Sequence, residues 1–217
     1  MQTAPIKPIK PWFQTIEDIG PHIDWSTYFG QQAPVELDIG CGRGLFLFNA
    51  AVMNPQTNFL GIEIDYREGR RTATRLMKRD LPNGRVIGGD CRVILRDMIT
   101  PHSVSAAHVY FPDPWWKKRH HKRRLFTDEF AALLSQILIP GGLLHSWTDV
   151  ADYFDIVRSL MDHHPDFEVL APPEERPAEH DLDYQTSFER KKRKLGCPIY
   201  RGLWKRRPLD TQLSPSN

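Results

Sequence analysis

The sequence predicts an α/β fold in which a mostly parallel sheet is covered by helices on both faces. From residue 35 onward, short apolar runs typical of buried strands alternate with longer segments typical of helices. The connections are short, and Gly or Pro marks many of the element ends. Regular alternation of this kind builds parallel strands joined by crossover helices.

The elements follow in a regular order along the chain. Strands are predicted at residues 35–39, 58–64, 85–88, 103–111, 143–147, 166–170 and 199–204. Helices are predicted at residues 45–53, 66–79, 90–98, 127–138 and 149–163. Asp90 and Thr127 are residue types that cap helix N-termini, and Pro55 and Pro82 end the first two helices. Pro140-Gly141-Gly142 predicts a turn into the fifth strand.

A chain of 217 residues has the length for one domain with a fully formed core. We expect residues 34–207 to form it. Residues 1–33 are rich in Pro and aromatic residues without a clear period, which predicts an extended amino-terminal arm. Residues 171–183 are Pro- and acid-rich and are predicted to be a loop, and residues 208–217 a carboxy-terminal tail.

The cellular compartment is predicted from what the sequence lacks. No uncharged apolar run approaches the roughly 20 residues of a membrane span, and the first eight residues lack the apolar core of a secretory signal. Cys41, Cys91 and Cys197 are an odd number, lie far apart and have no metal-ligand spacing. We therefore expect a cytoplasmic protein with no membrane partner and no metal.

Basic residues are concentrated in two segments. Residues 117–124 (the first basic segment) carry six Lys or Arg, and residues 190–207 (the second basic segment) carry nine, with no Asp or Glu in either. The rest of the chain holds 14 basic against 27 acidic residues. Two basic segments on an acidic body indicate a localised site for a polyanion.

Three acidic positions and a glycine loop lie at predicted strand ends. Asp38 precedes Gly40, Gly42 and Gly44, whose pattern suits a tight turn close to a ligand. Glu63 ends the next strand, about 20 residues further on, where a carboxylate accepts hydrogen bonds from ribose hydroxyls. Asp90 ends the third strand, where it could cap a helix, accept from an adenine amine, or do both.

Both NAD and S-adenosylmethionine (SAM) fit a glycine loop followed by an acid. The glycines are spaced G-x-G-x-G, whereas a dinucleotide loop needs its third glycine where Phe46 and Leu47 stand. No Tyr-x-x-x-Lys pair of a hydride-transfer site is present either. The positive sulfonium of SAM also suits the surrounding acids, so the sequence favours SAM.

The segment from Phe111 to Trp116, which contains Pro112-Asp113-Pro114, precedes the first basic segment directly. A carboxylate, aromatic faces and two rigid prolines suit the holding of a flat base, and the adjacent cations suit a phosphate backbone. Trp115 is expected either to stack on the base or to be a core residue. The alternative for the whole segment is an exposed loop with a solvated charge run.

These motifs together resemble the bacterial tRNA (guanine-N7)-methyltransferase family over about residues 35–204. The glycine motif is common to SAM-dependent methyltransferases, but the Pro-Asp-Pro-Trp turn with its basic segment and the later Thr186-Ser187-Phe188-Glu189 are specific. The resemblance implies the Rossmann-like class I methyltransferase fold, a mostly parallel seven-stranded sheet with an antiparallel last strand. It also implies methyl transfer from SAM to N7 of a guanine in tRNA, at guanine 46 of the variable loop.

The resemblance also assigns site residues. Asp38, Glu63, Asp90 and Asp113 fall at SAM-contacting positions, and Asp113 also at the active-site aspartate. Positions for binding the substrate are Lys117, Arg119, Lys122, Arg123, Arg124, Asp149, Thr186, Ser187, Phe188 and Glu189. Asp38 stands where relatives often have Glu. The expected partner is tRNA and not DNA, and the expected state is a monomer or weak homodimer.

Several alternatives stay open at the level of sequence. Asp149 could cap the next helix instead of binding guanine donors, and Arg190–Lys194 could be a solvated helix face. An amino-methyltransferase acting on adenine N6 or cytosine N4 would need one more proline in the Asp113-Pro114-Trp115 turn. A non-catalytic RNA-binding module would not need Glu63 and Asp90, and a small-molecule methyltransferase would not need the two basic segments.

Overall fold

The computed structural model describes residues 9–174 and 184–208. Residues 1–8 of the predicted arm, residues 175–183 of the predicted loop and residues 209–217 of the predicted tail lie outside the described residues.

One eight-stranded sheet runs through the protein, in the order β1-β4-β3-β2-β5-β6-β8-β7. Its strands are β1 Phe13–Thr15, β2 Val35–Ile39, β3 Asn58–Glu63, β4 Gly84–Gly88, β5 Val104–Tyr110, β6 Leu138–Thr148, β7 Phe167–Leu170 and β8 Tyr200–Arg206. The first six pair in parallel, and β8 pairs antiparallel with both β6 and β7. The expected antiparallel last strand is confirmed.

Helices connect these strands. They are α1 Ile16–Ile19, α2 Trp25–Phe29, α3 Leu45–Met53, α4 Tyr66–Lys78, α5 Cys91–Val93, α6 Asp128–Ile137, α7 Ala151–Met161 and α8 Ser187–Lys194. A π-helical turn, Ile94–Met98, continues α5, and a 3-10 helix spans Lys118–Arg123. No helix within the described residues combines the length and the apolar character that crossing a bilayer requires.

The predicted strands and helices are all present, with one internal difference. The predicted turn Pro140-Gly141-Gly142 lies inside β6, where the pairing with β5 jumps from Val104–Leu138 to Ala106–Leu143. The extra residues on the β6 side are accommodated as an irregularity in the ladder, with Gly141 at φ +83°. The prediction that the strand starts only at residue 143 is therefore wrong.

The amino-terminal segment differs more strongly from the expectation. The prediction of an extended arm is wrong for the described part, because β1, α1 and α2 form there, and β1 adds an eighth strand beside β4. Phe13 is buried between α4 and β4, close to Gly69 and Gly88. Ile23, Tyr28 and Phe29 belong to the main hydrophobic core on the other face. The segment therefore completes the packing of the sheet.

Strand β2 lies between β3 and β5, which is where the order of the parallel strands reverses. In open α/β sheets this switch point leaves a crevice at the carboxyl ends of the strands. The glycine loop follows β2, Glu63 ends β3, Asp90 follows β4 and the Pro-Asp-Pro turn follows β5. The fold therefore brings these four segments to one edge of the sheet.

Candidate active site

Two adjoining clefts open at this edge. The first, of about 440 Å³, is lined by the glycine loop, by Asp38 and by residues 186–188. The second, of about 570 Å³, is lined by Glu63, Asp90, Asp113 and Trp115. Gly40, Tyr110 and Phe111 line both clefts, which are therefore neighbouring parts of one site. Their volumes lie in the range of small-molecule and cofactor pockets.

The glycine loop has the backbone that its sequence predicts. Gly40, Gly42 and Gly44 have φ of +80°, +51° and +63°, in the left-handed region that favours glycine. Gly44 also has no room for a side chain, because a Cβ there would overlap with Cγ2 of Thr72. The Thr72 hydroxyl donates to the Gly42 carbonyl over 2.7 Å. Helix α4 thus holds the loop from outside.

Glu63 is braced by the loop it faces. Its Oε2 accepts from the Gly42 N–H at 2.8 Å, and its Oε1 accepts from the Asp65 N–H at 2.9 Å. Each carboxylate oxygen has further lone pairs that can accept from a ligand. The side chain lines the second cleft beside the exposed Ile64. Ribose binding by Glu63 stays a prediction, and the geometry leaves the carboxylate available for it.

Asp90 caps a helix, which is one of the two roles predicted for it. It is the N-cap of α5, and its Oδ1 accepts from the Arg92 N–H at 2.9 Å. The residue also lines the second cleft, next to Cys91 and Arg92. Capping therefore does not remove it from the site, and the two predicted roles are compatible in the structure.

Asp38 is the most buried of the four predicted cofactor acids, with 4% of its surface exposed. Burial, and then the nearby Glu63, raise the pKa of its carboxyl to about 8 from an ordinary value of 3.8. A hydrogen bond from the Leu47 backbone opposes this shift only partly. Because the residue lines the first cleft, a cation placed there would favour its ionised form.

The Pro-Asp-Pro-Trp turn is conformationally strained at both ends. Phe111 and Trp115 have φ of +54° and +46°, which is unusual for large side chains. Backbone in such regions persists only when its surroundings hold it, and it is concentrated at functional sites. The turn presents Asp113 to solvent on the wall of the second cleft.

The first basic segment supplies part of that hold. Nε of Arg124 donates to the Pro114 carbonyl at 2.8 Å, and Nη2 of Arg92 donates to the Arg124 carbonyl at 2.8 Å. The Arg124 guanidinium also lies over the ring of Tyr153, 5.5 Å from its centre. Arg124 is predicted to bind RNA, and its guanidinium additionally fixes the turn.

Trp115 lies on the cleft wall and is only half-buried, which disagrees with the alternative of a core residue. Arg123 covers its ring at 5.0 Å, and His120 meets it edge-on at 5.7 Å. Trp116 is 64% exposed. Base stacking by Trp115 stays a prediction, and on one face Arg123 would have to move.

The other predicted substrate residues of the first basic segment lie on the 3-10 helix or just before it. Lys122 and Arg123 line the second cleft, whereas Lys117 and Arg119 do not. All four are exposed. The structure thus brings two of them to the site and leaves two on the adjoining surface.

The predicted segment Thr186–Glu189 begins α8. The Thr186 hydroxyl accepts from the Glu189 N–H at 2.9 Å, and Oε2 of Glu189 accepts from the Gln185 N–H at 2.7 Å. Glu189 is buried, and its Oε1 lies 3.3 Å from Arg193 and 3.6 Å from Arg201. Thr186, Ser187 and Phe188 line the first cleft, whereas Glu189 organises the helix start.

Asp149 lies outside the lining of both clefts. Its Oδ2 pairs with Nζ of Lys192 at 2.7 Å, and the same ammonium lies 5.1 Å from the centre of the Phe188 ring. The alternative of a helix cap is wrong, because the N-cap of α7 is Val150, the residue after Asp149, and this helix start has no side-chain cap hydrogen bond. Asp149 therefore holds α8 against the end of β6.

Sequence reasoning missed Tyr110, which lines both clefts at the end of β5. Its hydroxyl lies 3.0 Å from Nδ1 of His108, whose Nε2 lies 2.8 Å from Glu36. With the Glu36 carboxylate accepting from Nε2–H, Nδ1 of a neutral His108 accepts a hydrogen bond from the Tyr110 hydroxyl. Burial raises the pKa of Tyr110 well above its ordinary value, which keeps the hydroxyl a donor.

Arg43 and Arg92 are further cationic lining residues that the sequence reasoning missed, although their positions next to Gly42 and next to Asp90 could have indicated them. Lys191 lines the first cleft as a member of the second basic segment, which is predicted to bind a polyanion. No cluster of three or more His, Cys, Asp or Glu residues in the described ranges is placed to hold a metal, and the three cysteines are free thiols.

Comparisons with known proteins identify the family of the chain. A family model described as a putative methyltransferase matches residues 32–202. A tRNA (guanine-N(7)-)-methyltransferase of Rhodopirellula baltica is 39% identical over 209 residues, which cover 94% of this chain and 77% of that protein. The chain belongs to the tRNA (guanine-N7)-methyltransferase family. A member from Bordetella pertussis is 39% identical over 189 residues, which cover 85% of this chain and 72% of that protein.

Solved structures support the fold independently of this family match. The 16S rRNA methyltransferase KamB superposes with a TM-score of 0.58 at 16% identity, covering 82% of this chain and 90% of that one. A mutant 16S rRNA (adenine(1408)-N(1))-methyltransferase with cosubstrate SAM, from Catenulisporales acidiphilia, has a TM-score of 0.55 at 15% identity, with 87% and 92% covered. Every residue that lines the two clefts lies within the part of the chain that the family model matches.

Proposed function

We propose that this protein transfers a methyl group from SAM to N7 of a guanine in tRNA, at guanine 46 of the variable loop, and releases S-adenosylhomocysteine. The observation that carries the proposal is the position of Asp113, on a strained turn that borders the cleft of Glu63 and Asp90. Relatives 39% identical to the chain carry the name tRNA (guanine-N(7)-)-methyltransferase. Position 46 rests on the sequence resemblance alone.

The donor groups of the two clefts suit SAM. Glu63 offers carboxylate oxygens for ribose hydroxyls, and Asp90 can accept from an adenine amine. Asp38 lies in the first cleft beside the glycine loop, where a carboxylate suits the cationic methionine part. The left-handed glycines let backbone N–H groups approach a ligand closely. When bound, SAM supplies an electrophilic methyl carbon on a positively charged sulfur.

The residues of the turn act on the guanine. N7 carries an exposed lone pair, so its methylation requires no general base, and alignment is the main task of the protein. Asp113 can accept from guanine N1–H and N2–H, a donor pair that adenine lacks. The ring becomes positively charged on methylation, and a fixed carboxylate beside it stabilises that charge. Arg124 and Arg92 hold the turn that aims Asp113.

Both basic segments border the site from the outside. Lys122 and Arg123 reach the second cleft from the first basic segment, and Lys191 reaches the first cleft from the second. Cations in these positions bind phosphates on both sides of a nucleotide that enters the clefts. A guanine inside a folded RNA must be exposed in a loop or flipped out to reach them.

The direct test is methylation of an unmodified tRNA transcript with SAM, followed by digestion and mass spectrometry of the nucleosides. We expect N7-methylguanosine, and its loss when guanine 46 of the transcript is replaced by adenine. Asp113→Asn should lower kcat by about 10²-fold or more while the protein stays folded. Formation of N6-methyladenosine or N4-methylcytidine, or no RNA methylation at all, would overturn the proposal.

A further inference from the structure

Helix α4 carries a third concentration of positive charge, which lies outside both basic segments. Residues 67–79 hold six of the 14 remaining Lys and Arg against one acid, Glu68. All six basic side chains are exposed. They are Arg67, Arg70, Arg71, Arg75, Lys78 and Arg79.

The buried side of α4 fixes where these cations point. Gly69, Thr72, Ala73 and Leu76 are buried against the sheet and the glycine loop. At 100° per residue, Arg71, Arg75 and Arg79 follow one another along one flank of the helix, with Lys78 beside them. We call these four residues the α4 basic face. The Arg75 guanidinium lies over the ring of Phe48 of α3 at 5.2 Å, so this flank faces α3.

Glu68 connects the α4 basic face to the first cleft by lying between Arg71 and Arg43. The Glu68 carboxylate pairs with Arg71 at 2.5 Å and lies 3.7 Å from Nε of Arg43. Arg43 belongs to the glycine loop and lines the first cleft, yet 75% of its side chain is exposed. The cations therefore continue from the cleft mouth along the outer surface of α4.

Lys191 of the second basic segment lines the same cleft. The first cleft is thus lined by cations from two elements, Lys191 of α8 and Arg43 of the glycine loop, and Arg43 leads on to α4 through Glu68. A polyanion lying across the cleft mouth would meet the second basic segment and the α4 basic face together. This continuity identifies the kind of partner, since a small anionic ligand would not extend along α4.

The arrangement of charges on the helix also favours a bound polyanion. Arg67, Arg71 and Arg75 follow at intervals of four residues, and like charges at that spacing repel each other and destabilise a helix. A phosphate backbone placed beside them would remove this repulsion and release its own counterions. Glu68 offsets this repulsion between the arginines only in the first turn of α4, where its carboxylate lies beside Arg43 and Arg71.

We propose that the α4 basic face binds the phosphate backbone of the tRNA substrate, away from the nucleotide that is methylated. The proposal rests on the proposed function, because it takes tRNA as the polyanion. It extends the proposed RNA-binding surface from the two basic segments to a third element, helix α4. The contacts of α4 set the affinity for the parts of the tRNA outside the methylated nucleotide.

The test compares two double variants by fluorescence anisotropy with a labelled tRNA transcript at several KCl concentrations. Arg71→Gln with Arg75→Gln removes two cations of the face. The control, Arg96→Gln with Arg158→Gln, removes two exposed arginines that pair with acids elsewhere on the surface. We expect the slope of log K against log salt to fall by about 1.4–1.8 in the first variant only. At physiological salt its tRNA affinity and its KM for tRNA should worsen about tenfold.

The outcomes separate this inference from the proposed function. A wild-type protein that does not methylate tRNA would overturn the proposed function itself. A wild-type protein that methylates tRNA, together with equal salt slopes in the two variants, would overturn only the role of α4. If loss of the Arg75–Phe48 contact prevents folding, Lys78→Gln with Arg79→Gln decides in the same way, because these side chains lie at the exposed end of the face.

Discussion

At the scale of single residues, the acidic side chains of the two clefts differ mainly in their exposure to water. Asp113 is exposed, Glu63 is held by two backbone N–H groups, and Asp38 is buried with its pKa raised to about 8. A carboxyl with such a raised pKa is mostly protonated at pH 7, and a nearby cation shifts it towards the ionised form. Binding of a cation beside Asp38 and ionisation of its carboxyl are therefore coupled.

We expect SAM affinity to rise with pH up to about 8, by at most about tenfold per unit, and then to level off. The sign follows because protonated Asp38 must lose its proton before it can pair with a positive charge. Calorimetry between pH 6 and 9 on the wild type and on Asp38→Asn measures this. The amino group of SAM titrates equally in both, so the difference between the two curves isolates Asp38. Parallel curves would show that Asp38 does not contact the cofactor.

Arg124 combines a positive charge with a hydrogen bond to the Pro-Asp-Pro-Trp turn. Arg124→Ala should lower kcat by on the order of tenfold or more, because the Pro114 carbonyl loses its donor and Asp113 loses alignment. Arg124→Lys is the matched control, since it keeps the charge but lacks the Nε–H of the guanidinium. We expect it to retain the salt slope of tRNA binding and still to lose kcat. If both variants keep the wild-type kcat at saturating tRNA, the bond to Pro114 is not important for alignment.

The site residues that could be predicted from the sequence are those whose positions follow from a backbone motif, such as the end of a strand. Glu63, Asp90 and Asp113 follow directly from the ends of β3, β4 and β5, so their positions at one edge were predictable. Tyr110 and Arg92 were not, because their roles depend on side chains brought together from elsewhere in the chain. The hydroxyl of Tyr110 is oriented by His108, which is itself paired with Glu36. Arg92 donates a hydrogen bond to the backbone carbonyl of Arg124.

At the scale of elements, the packing of α4 on the glycine loop links the shape of the first cleft to the stability of the fold. Gly44 lies at φ +63° against the fully buried Thr72, whereas Gly196 lies at φ +71° with no heavy atom within 4 Å of its missing Cβ. The two glycines therefore share the backbone requirement but differ in the space around them.

Gly44→Ala should destabilise the fold by about 3 kcal/mol or more, from the left-handed backbone and from overpacking against Thr72. Gly196→Ala should cost only the backbone part, about 1–2 kcal/mol. Urea denaturation of both variants measures the difference. Equal losses would mean that Thr72 moves aside freely and that α4 does not fix the loop.

Element prediction succeeded where the period of apolar residues extended over a whole strand or helix. It failed at residues 13–29, because a strand of three residues and helices of four and five are too short to show a period. These elements are held by tertiary contacts, such as the packing of Phe13 beside Val86 of β4. The Pro140-Gly141-Gly142 signature was a real irregularity, but the ladder with β5 absorbs it.

At the scale of the whole molecule, the amino-terminal segment joins both hydrophobic clusters of the protein. Phe13 belongs to the cluster under α3 and α4, and Ile23, Tyr28 and Phe29 belong to the cluster on the other side of the sheet. Arg85 of β4 lies over the rings of both Tyr28 and Phe29. The division at residue 33 between arm and domain stays a prediction, and the burial of these side chains argues that the domain needs the segment.

A chain that begins at residue 31 should therefore not fold cooperatively. It loses four buried apolar side chains, each worth about 1.5–3 kcal/mol, from a total stability of the order of 5–15 kcal/mol. A chain that begins at residue 9 is the control, because it keeps all four of them. Thermal unfolding followed by circular dichroism compares both with the full chain. A cooperative transition of the shorter chain within a few degrees of the full chain would show that the predicted division is correct, and that β1 and α2 only cover a sheet that is stable without them.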